Sequence, residues 1–143
     1  MFSNSSKYAI KAVLYLALNS NEENKIMVKD IAEPINVPQA YIAKLLQELS
    51  RQNIVSSTRG PKGGFYLSEK DRMLPLKKII HVIDGETRLK SCLLSLESCN
   101  EDKPCPLHKM AFPLRTALLD SFENKSIYEL AQDVRDGNSY LPL

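Results

Sequence analysis

Three of the five glycines in this 143-residue chain fall between positions 60 and 64. In Thr58-Arg59-Gly60-Pro61-Lys62-Gly63-Gly64 they combine with a proline to exclude a regular helix and to demand a tight turn. On either side, Ile54-Val55-Ser56-Ser57 and Phe65-Tyr66-Leu67-Ser68 have the β-branched and aromatic content of short strands. The three segments together read as a basic, glycine-rich β-hairpin.

What precedes the hairpin is helical. Ser5 and Ser6 are placed to cap a helix through Ser20, in which Tyr8, Ala9, Ala12, Val13, Leu16 and Ala17 recur at spacings of three and four. After a polar loop, Val28, Ile31 and Ala32 form a short helical stripe that Pro34 is expected to stop. Pro38 then stands where a first-turn proline belongs, and Tyr41, Ile42, Leu45, Leu46 and Leu49 carry a third helix to about Gln52. Two helices joined across Pro34-Ile35-Asn36-Val37 have the layout of a helix-turn-helix, and the hairpin after them completes a winged helix. The expected fold is therefore mainly α with a small β-hairpin.

Beyond the wing, Leu76, Ile79, Ile80 and Ile83 predict a helix that starts near Pro75 and stops before Gly85. Helical periodicity then fails from Glu86 to Lys103. It returns from Pro106 to about Asn124 through Leu107, Phe112, Leu114, Leu118, Leu119 and Phe122, with Pro113 expected to kink the helix near its beginning. That helix carries more apolar surface than one standing alone requires. Ser126-Ile127-Tyr128-Glu129 is a capping-box pattern for a last helix to Val134, ended by Asp136-Gly137-Asn138. The chain thus divides into a winged helix-turn-helix over 1–85, a cysteine-bearing loop over 86–108, and a long helix with a C-terminal helix and tail over 106–143.

Net charge is only +2, so a nucleic-acid site must be local. From Asn36 to Gly64 the cations Lys44, Arg51, Arg59 and Lys62 face the single anion Glu48, a surplus of three that exceeds that of the whole chain. In a winged helix the start of the recognition helix meets base edges, and the hairpin reaches the neighbouring groove or backbone. Gln39, Tyr41 and Lys44 are accordingly the candidate groove-facing donors. Arg59, Gly60, Pro61, Lys62, Gly63 and Gly64 are the candidate contacts of the wing, where glycine lets the backbone approach a phosphate. A solvated turn, or a winged helix that binds a protein instead of DNA, is the competing reading.

Cys92, Cys99 and Cys105 are the only cysteines, and all lie within 14 residues of polar sequence. An odd number so placed suits a metal or redox site better than a disulfide framework. As one helix, 92 to 99 would separate the first two sulfurs by roughly 10.5 Å of rise, so the segment must bend to share a metal. Cys105 precedes Pro106 at an expected helix start, and His108 follows one turn on. Three thiolates and an imidazole suit zinc or an iron-sulfur cluster. The competing reading is three small hydrophobes. Other classes find no support: the sequence offers no nucleophile paired with a base, no phosphate loop and no paired carboxylates, and no apolar run approaches membrane-spanning length. Leu18-Asn19-Ser20-Asn21 lacks a small-x-small cleavage site, so the first apolar stretch is read as a retained helix of a cytoplasmic protein.

Between about Ser5 and Leu130 the chain resembles the IscR and NsrR type of bacterial iron-sulfur winged-helix transcription regulators. The resemblance is carried by Ser6-Lys7-Tyr8-Ala9, Val28-Lys29-Asp30-Ile31-Ala32, the helix bearing Tyr41 and Leu45, Arg59-Gly60-Pro61-Lys62-Gly63-Gly64, Ile83-Asp84-Gly85 and Cys105-Pro106-Leu107-His108. It implies a homodimer formed through the helix after Cys105, with two recognition helices on a palindromic DNA operator. It also implies a cluster, two-iron in preference to four-iron, held by Cys92, Cys99 and Cys105 with His108 as the fourth ligand. The residues themselves leave zinc, or thiols that sense by oxidation, as the alternative. The chain departs from the pattern in three places. The first cysteine gap is six residues instead of five or fewer, Lys7 stands where some nitric-oxide sensors have an aspartate ligand, and Ala43-Lys44 replaces a glutamate and an amide of the cluster-biogenesis regulator.

Overall fold

The computed structural model describes residues 2–94 and 97–143. Helix α1 (Asn4–Asn19) is capped by Ser3, whose hydroxyl accepts the Ser6 amide at 3.0 Å; the expected caps Ser5 and Ser6 lie inside the first turn. Ala9, Ala12, Val13, Leu16 and Ala17 form a fully buried face of small and medium side chains. Small residues let neighbouring helices approach closely, and α2 (Val28–Ile35), α3 (Gln39–Arg51), α5 (Leu76–Lys90) and α7 (Ile127–Arg135) all pack on α1.

Pro34 does not end α2. The helix runs one residue further because the proline sits in its last turn, where it forgoes a single hydrogen bond, while Ile31, Ala32 and Ile35 gain burial. Asn36 then stops it in the left-handed region (φ 59°), and the Val37 amide closes on the Ala32 carbonyl at 3.2 Å. Pro38 occupies the position before the first turn of α3, one residue earlier than expected.

Strands β1 (Ser56–Thr58) and β2 (Gly64–Tyr66) pair antiparallel, with Ser57 opposite Phe65. They are displaced from the expected 54–57 and 65–68 for one reason: consecutive residues of a strand face opposite sides, yet Ile54 and Val55 are both buried. The chain buries both by turning, with the Ile54 amide on the Leu49 carbonyl at 2.9 Å. Ile26 adds a further rung, exchanging two 2.8 Å hydrogen bonds with Phe65. Ser68 caps an unanticipated short helix α4 (Glu69–Arg72) in a capping box with Asp71. Asp71 is buried and also accepts from the Ser56 hydroxyl at 2.6 Å, tying the base of the wing to α4.

Gly85 breaks α5 with φ 77° and ψ 171°, but the helix does not stop there. It resumes to Lys90, because Leu89 returns to the core. Long helix α6 (His108–Asn124) begins two residues later than expected, passes through Pro113 as helix, and buries no residue completely. The capping box of α7 forms as read from the sequence: the Glu129 amide reaches the Ser126 hydroxyl at 3.1 Å and the Ser126 amide reaches the Glu129 carboxylate at 2.8 Å.

Asp84 joins the N-terminus of α1 to α5. Its side chain is 5% exposed and accepts from both the amide and the hydroxyl of Ser3, with Arg88 4.0 Å away. Burial pushes this carboxyl upward, but the Ser3 hydroxyl and amide outweigh it, helped by the Ser6 side chain and Arg88, so its pKa lies below the ordinary value. The stabilisation is fully present above the unfolded-state pKa and is lost as pH falls through the lower folded one. Asp84→Asn is expected to lower unfolding stability by about 1.5–3 kcal/mol at neutral pH. Urea melts of both proteins should show that difference shrinking as pH falls below the ordinary carboxylate range.

Candidate functional site

The helix-turn-helix and the wing converge on one surface. Gln39 and Lys44 are exposed on α3, and the start of α3, the start of α2 and the wing enclose an open cleft lined by Lys29, Gln39, Thr58 and Gly60. Tyr41 is half-buried and turned toward α1: its ring lies edge-on to Tyr8 at 5.8 Å, and its hydroxyl is 2.7 Å from that of Ser5. Arg51 is exposed but pairs with Glu48 at 2.7 Å, which leaves Lys44, Arg59 and Lys62 as the cations of this segment without an ion pair among the described residues.

Arg59, Pro61 and Lys62 stand exposed at the tip of the hairpin, and the Gly63 amide closes the turn on the Gly60 carbonyl at 2.9 Å. Two of the glycines serve the hairpin itself. A Cβ on Gly63 would lie 2.3 Å from the Thr58 carbonyl oxygen, and one on Gly64, at φ 147°, would lie 2.7 Å from the Ile26 carbonyl oxygen. The surrounding atoms are backbone and cannot step aside.

The cysteines occupy the connection between α5 and α6. Two of its residues, 95 and 96, lie outside the described residues. The Cys92 amide donates to the Glu97 carbonyl at 3.1 Å and Ser91 bridges Ser98, so the segment doubles back as a metal site would require. Cys92 and Cys105 come together with their sulfurs 3.5 Å apart, and no disulfide joins any of the three cysteines. Cys99 is held separately: its sulfur accepts from one arm of the Arg115 guanidinium at 2.8 Å, while the other arm donates to the Ser91 carbonyl. His108 opens α6 with its amide on the Cys105 carbonyl at 3.0 Å, and its ring stacks on Phe112 at 4.8 Å.

Two thiolates on one tetrahedral metal with bonds of about 2.3 Å stand roughly 3.8 Å apart, close to the Cys92–Cys105 separation. The donor chemistry therefore fits a thiolate-bound metal group. Among the described residues, no three His, Cys, Asp or Glu side chains are gathered as a metal site, so the pair is assembled and the full ligand set is not. Arg115 escaped the sequence reading, its only signal being a lone cation in the apolar part of a helix that follows the last cysteine.

On α6, Met110 is 64% and Leu114 74% exposed, whereas Leu119 and Phe122 pack on the core. Among the described residues, no helix is long and apolar enough to cross a membrane.

A family model described as Rrf2, an iron-dependent transcriptional regulator, matches residues 2–133. A putative HTH-type transcriptional regulator of Aquifex aeolicus is 33% identical over 132 residues, 91% of this chain and 90% of that one. The HTH-type transcriptional regulator IscR of Pectobacterium atrosepticum is 28% identical over 127 residues, covering 89% and 76% respectively. The solved structure of CymR, the global cysteine regulator of B. subtilis, superposes with a TM-score of 0.75 at 23% identity over 92% of this chain and 96% of that one. That likeness establishes the winged-helix fold, and the named relatives are transcriptional regulators, not enzymes.

The glycine geometry predicts that Gly63→Ala and Gly64→Ala each destabilise the hairpin by about 1–3 kcal/mol. Amide hydrogen exchange should show protection lost at Phe65 and Ile26 in both variants and retained at Ile79 and Ile80.

Proposed function

Because the chain belongs to the Rrf2 family of iron-dependent transcriptional regulators, we propose that it is a cytoplasmic homodimer that binds double-stranded DNA under the control of its cysteine segment. Two copies meet along the exposed Met110–Leu114 face of α6, which sets two α3 helices on a palindromic operator. Lys44, Arg59 and Lys62 supply the phosphate and groove contacts, with Gln39 at the start of α3 reading a base edge. Cys92, Cys99 and Cys105, with His108 as fourth ligand, hold an iron-sulfur cluster, a two-iron one in preference to a four-iron one. The observation that carries this reading is the 3.5 Å approach of Cys92 and Cys105 across thirteen residues of polar chain.

A bound cluster supplies sensitivity to oxidants, nitric oxide and iron-sulfur status. The protein's own residues supply the transmission. Residues 86–90 join the cysteine segment to Gly85, next to Asp84, which holds Ser3 at the head of α1. Half a turn further along α1, the Ser5 hydroxyl meets Tyr41 on α3. A change in the order of 86–105 is thereby felt at the recognition helix as a difference in DNA affinity between the two states.

The same sulfur pair favours a second reading, in which the thiols sense oxidants without metal. Hydrogen peroxide takes two electrons and two protons from Cys92 and Cys105, giving one disulfide and two waters.

For the first reading, titration of an operator by fluorescence anisotropy should show Arg59→Ala and Lys62→Ala each reducing the salt slope of log K by about two, one phosphate contact being lost in each subunit. Leu114→Glu should sediment as a monomer and lose operator affinity. Equal affinity of cluster-loaded and cluster-free protein at fixed salt would remove the sensor while leaving the DNA-binding protein intact.

For the second reading, mild peroxide treatment of metal-free protein should remove about 2 Da, reversed by dithiothreitol. The change should be absent in Cys92→Ser and Cys105→Ser and retained in Cys99→Ser.

A further inference from the structure

We propose that Arg115 is the positioning residue of the cysteine site, clamping Ser91 and Cys99 onto α6 and donating a hydrogen bond to the sulfur of Cys99 once that sulfur ligates metal. This deepens the reading of 92–108 as a metal-binding segment and rests on it.

Helical geometry makes Arg115 available for the role. His108, Phe112 and Arg115 follow one another at i, i+4 and i+7, so they share one stripe of α6. Met110 and Leu114 lie on the opposite side. One face of the helix thus meets the cysteine segment and the other is free for a second copy of the chain.

The contacts themselves span the segment. One arm of the guanidinium donates to the carbonyl of Ser91, the residue before Cys92, and the other donates to Cys99 at 2.8 Å. Between those two points lie the Ser91–Ser98 bridge and the hydrogen bond from Cys92 to Glu97. A planar fork with five donors and a permanent charge can serve a carbonyl and a sulfur at once, whereas a lysine offers a single point charge. Toward a neutral thiol that second hydrogen bond is weak; toward a metal-bound thiolate it is charge-assisted. Donation to a ligating sulfur withdraws electron density and favours the reduced state of the metal group. Arg115 therefore orders the segment before metal arrives and tunes the site afterwards.

The test compares wild type, Arg115→Ala and Arg115→Lys as full-length protein, with circular-dichroism melts confirming that each folds. In reduced, metal-free protein, cleavage after Glu97 by a glutamate-specific endoproteinase is expected to be roughly tenfold faster in both variants, because neither retains the fork. In protein reconstituted with iron and sulfide, Arg115→Ala is expected to have a lower reduction potential than wild type, with Arg115→Lys between them. A merely structural arginine would leave the potential unmoved. Unchanged cleavage together with unchanged potential would overturn the proposal. If the wild type takes up no iron and sulfide, the metal reading fails. The cleavage comparison then still decides the clamp: lost protection sustains it and retained protection removes it.

Discussion

Ala9, Ala12, Val13, Leu16 and Ala17 of α1 are fully buried, and four other helices pack on this one. Both ends of this helix are also fixed by charge. At the N-terminus Ser3 is shared between the first turn and Asp84. At the C-terminus Arg72 donates to the carbonyls of Ala17 and Ser20 at 2.6 Å each, and Arg135 reaches Ala17 at 3.0 Å. Two guanidinium groups satisfy carbonyls that no helical amide can reach, at the end where the helix dipole favours cations. Because α2, α3, α5 and α7 share this one support, the recognition helix and the helix leading to the cysteines are held in a common frame.

Burial is divided unevenly along the chain. Buried apolar side chains run densely from Ala9 to Ile80, and among the described residues after that only Leu89, Ile127 and Ala131 reach the same burial. No residue of α6 is fully buried. Completely removing a Leu or Met side chain from water is worth about 1.5–3 kcal/mol, and Leu114 and Met110 forgo most of that in a single copy of the chain. Pairing with a second α6, as proposed, would recover it at no cost to the core. The same lack of burial leaves the cysteine segment dependent on polar links, Arg115 foremost among them.

Features encoded locally were legible in the sequence. The capping box at Ser126, the glycine-rich turn at 60–64 and the apolar stripe of α3 each follow from neighbouring residues alone, and each forms. Where the reading slipped, tertiary burial had outvoted a local signal. Ile35 carries α2 past Pro34, Leu89 draws the chain back into helix after Gly85, and Ile54 with Val55 turn inward and shorten the strand. Ser68-Glu69-Lys70-Asp71 has a capping-box pattern, but the helix it starts is one turn long and offers no periodicity to detect. The cysteine site was legible in its residue types and not in its geometry. Which sulfurs meet depends on how a stretch without regular structure folds back, and on an arginine sixteen residues beyond Cys99.

The size of any signal passing from the cysteines to the DNA is bounded by the contacts that connect them. A ligand shifts a conformational equilibrium only by the free energy that differs between the states. Between 86–90 and α3 those contacts include the Asp84–Ser3 hydrogen bonds and the Ser5–Tyr41 hydroxyl pair. One involves a charged carboxylate and is worth about 1.5–3 kcal/mol; the other joins neutral groups and is worth about 0.5–1.5 kcal/mol. The Tyr8–Tyr41 edge contact adds a comparable amount on the same path. Partial loss of such contacts supports an affinity change of about ten- to a hundredfold per subunit, within the usual range of allosteric coupling. In the proposed dimer on a palindromic site both subunits would contribute, so modest local contacts suffice for the proposed switch, and the buried face of α1 need not move at all.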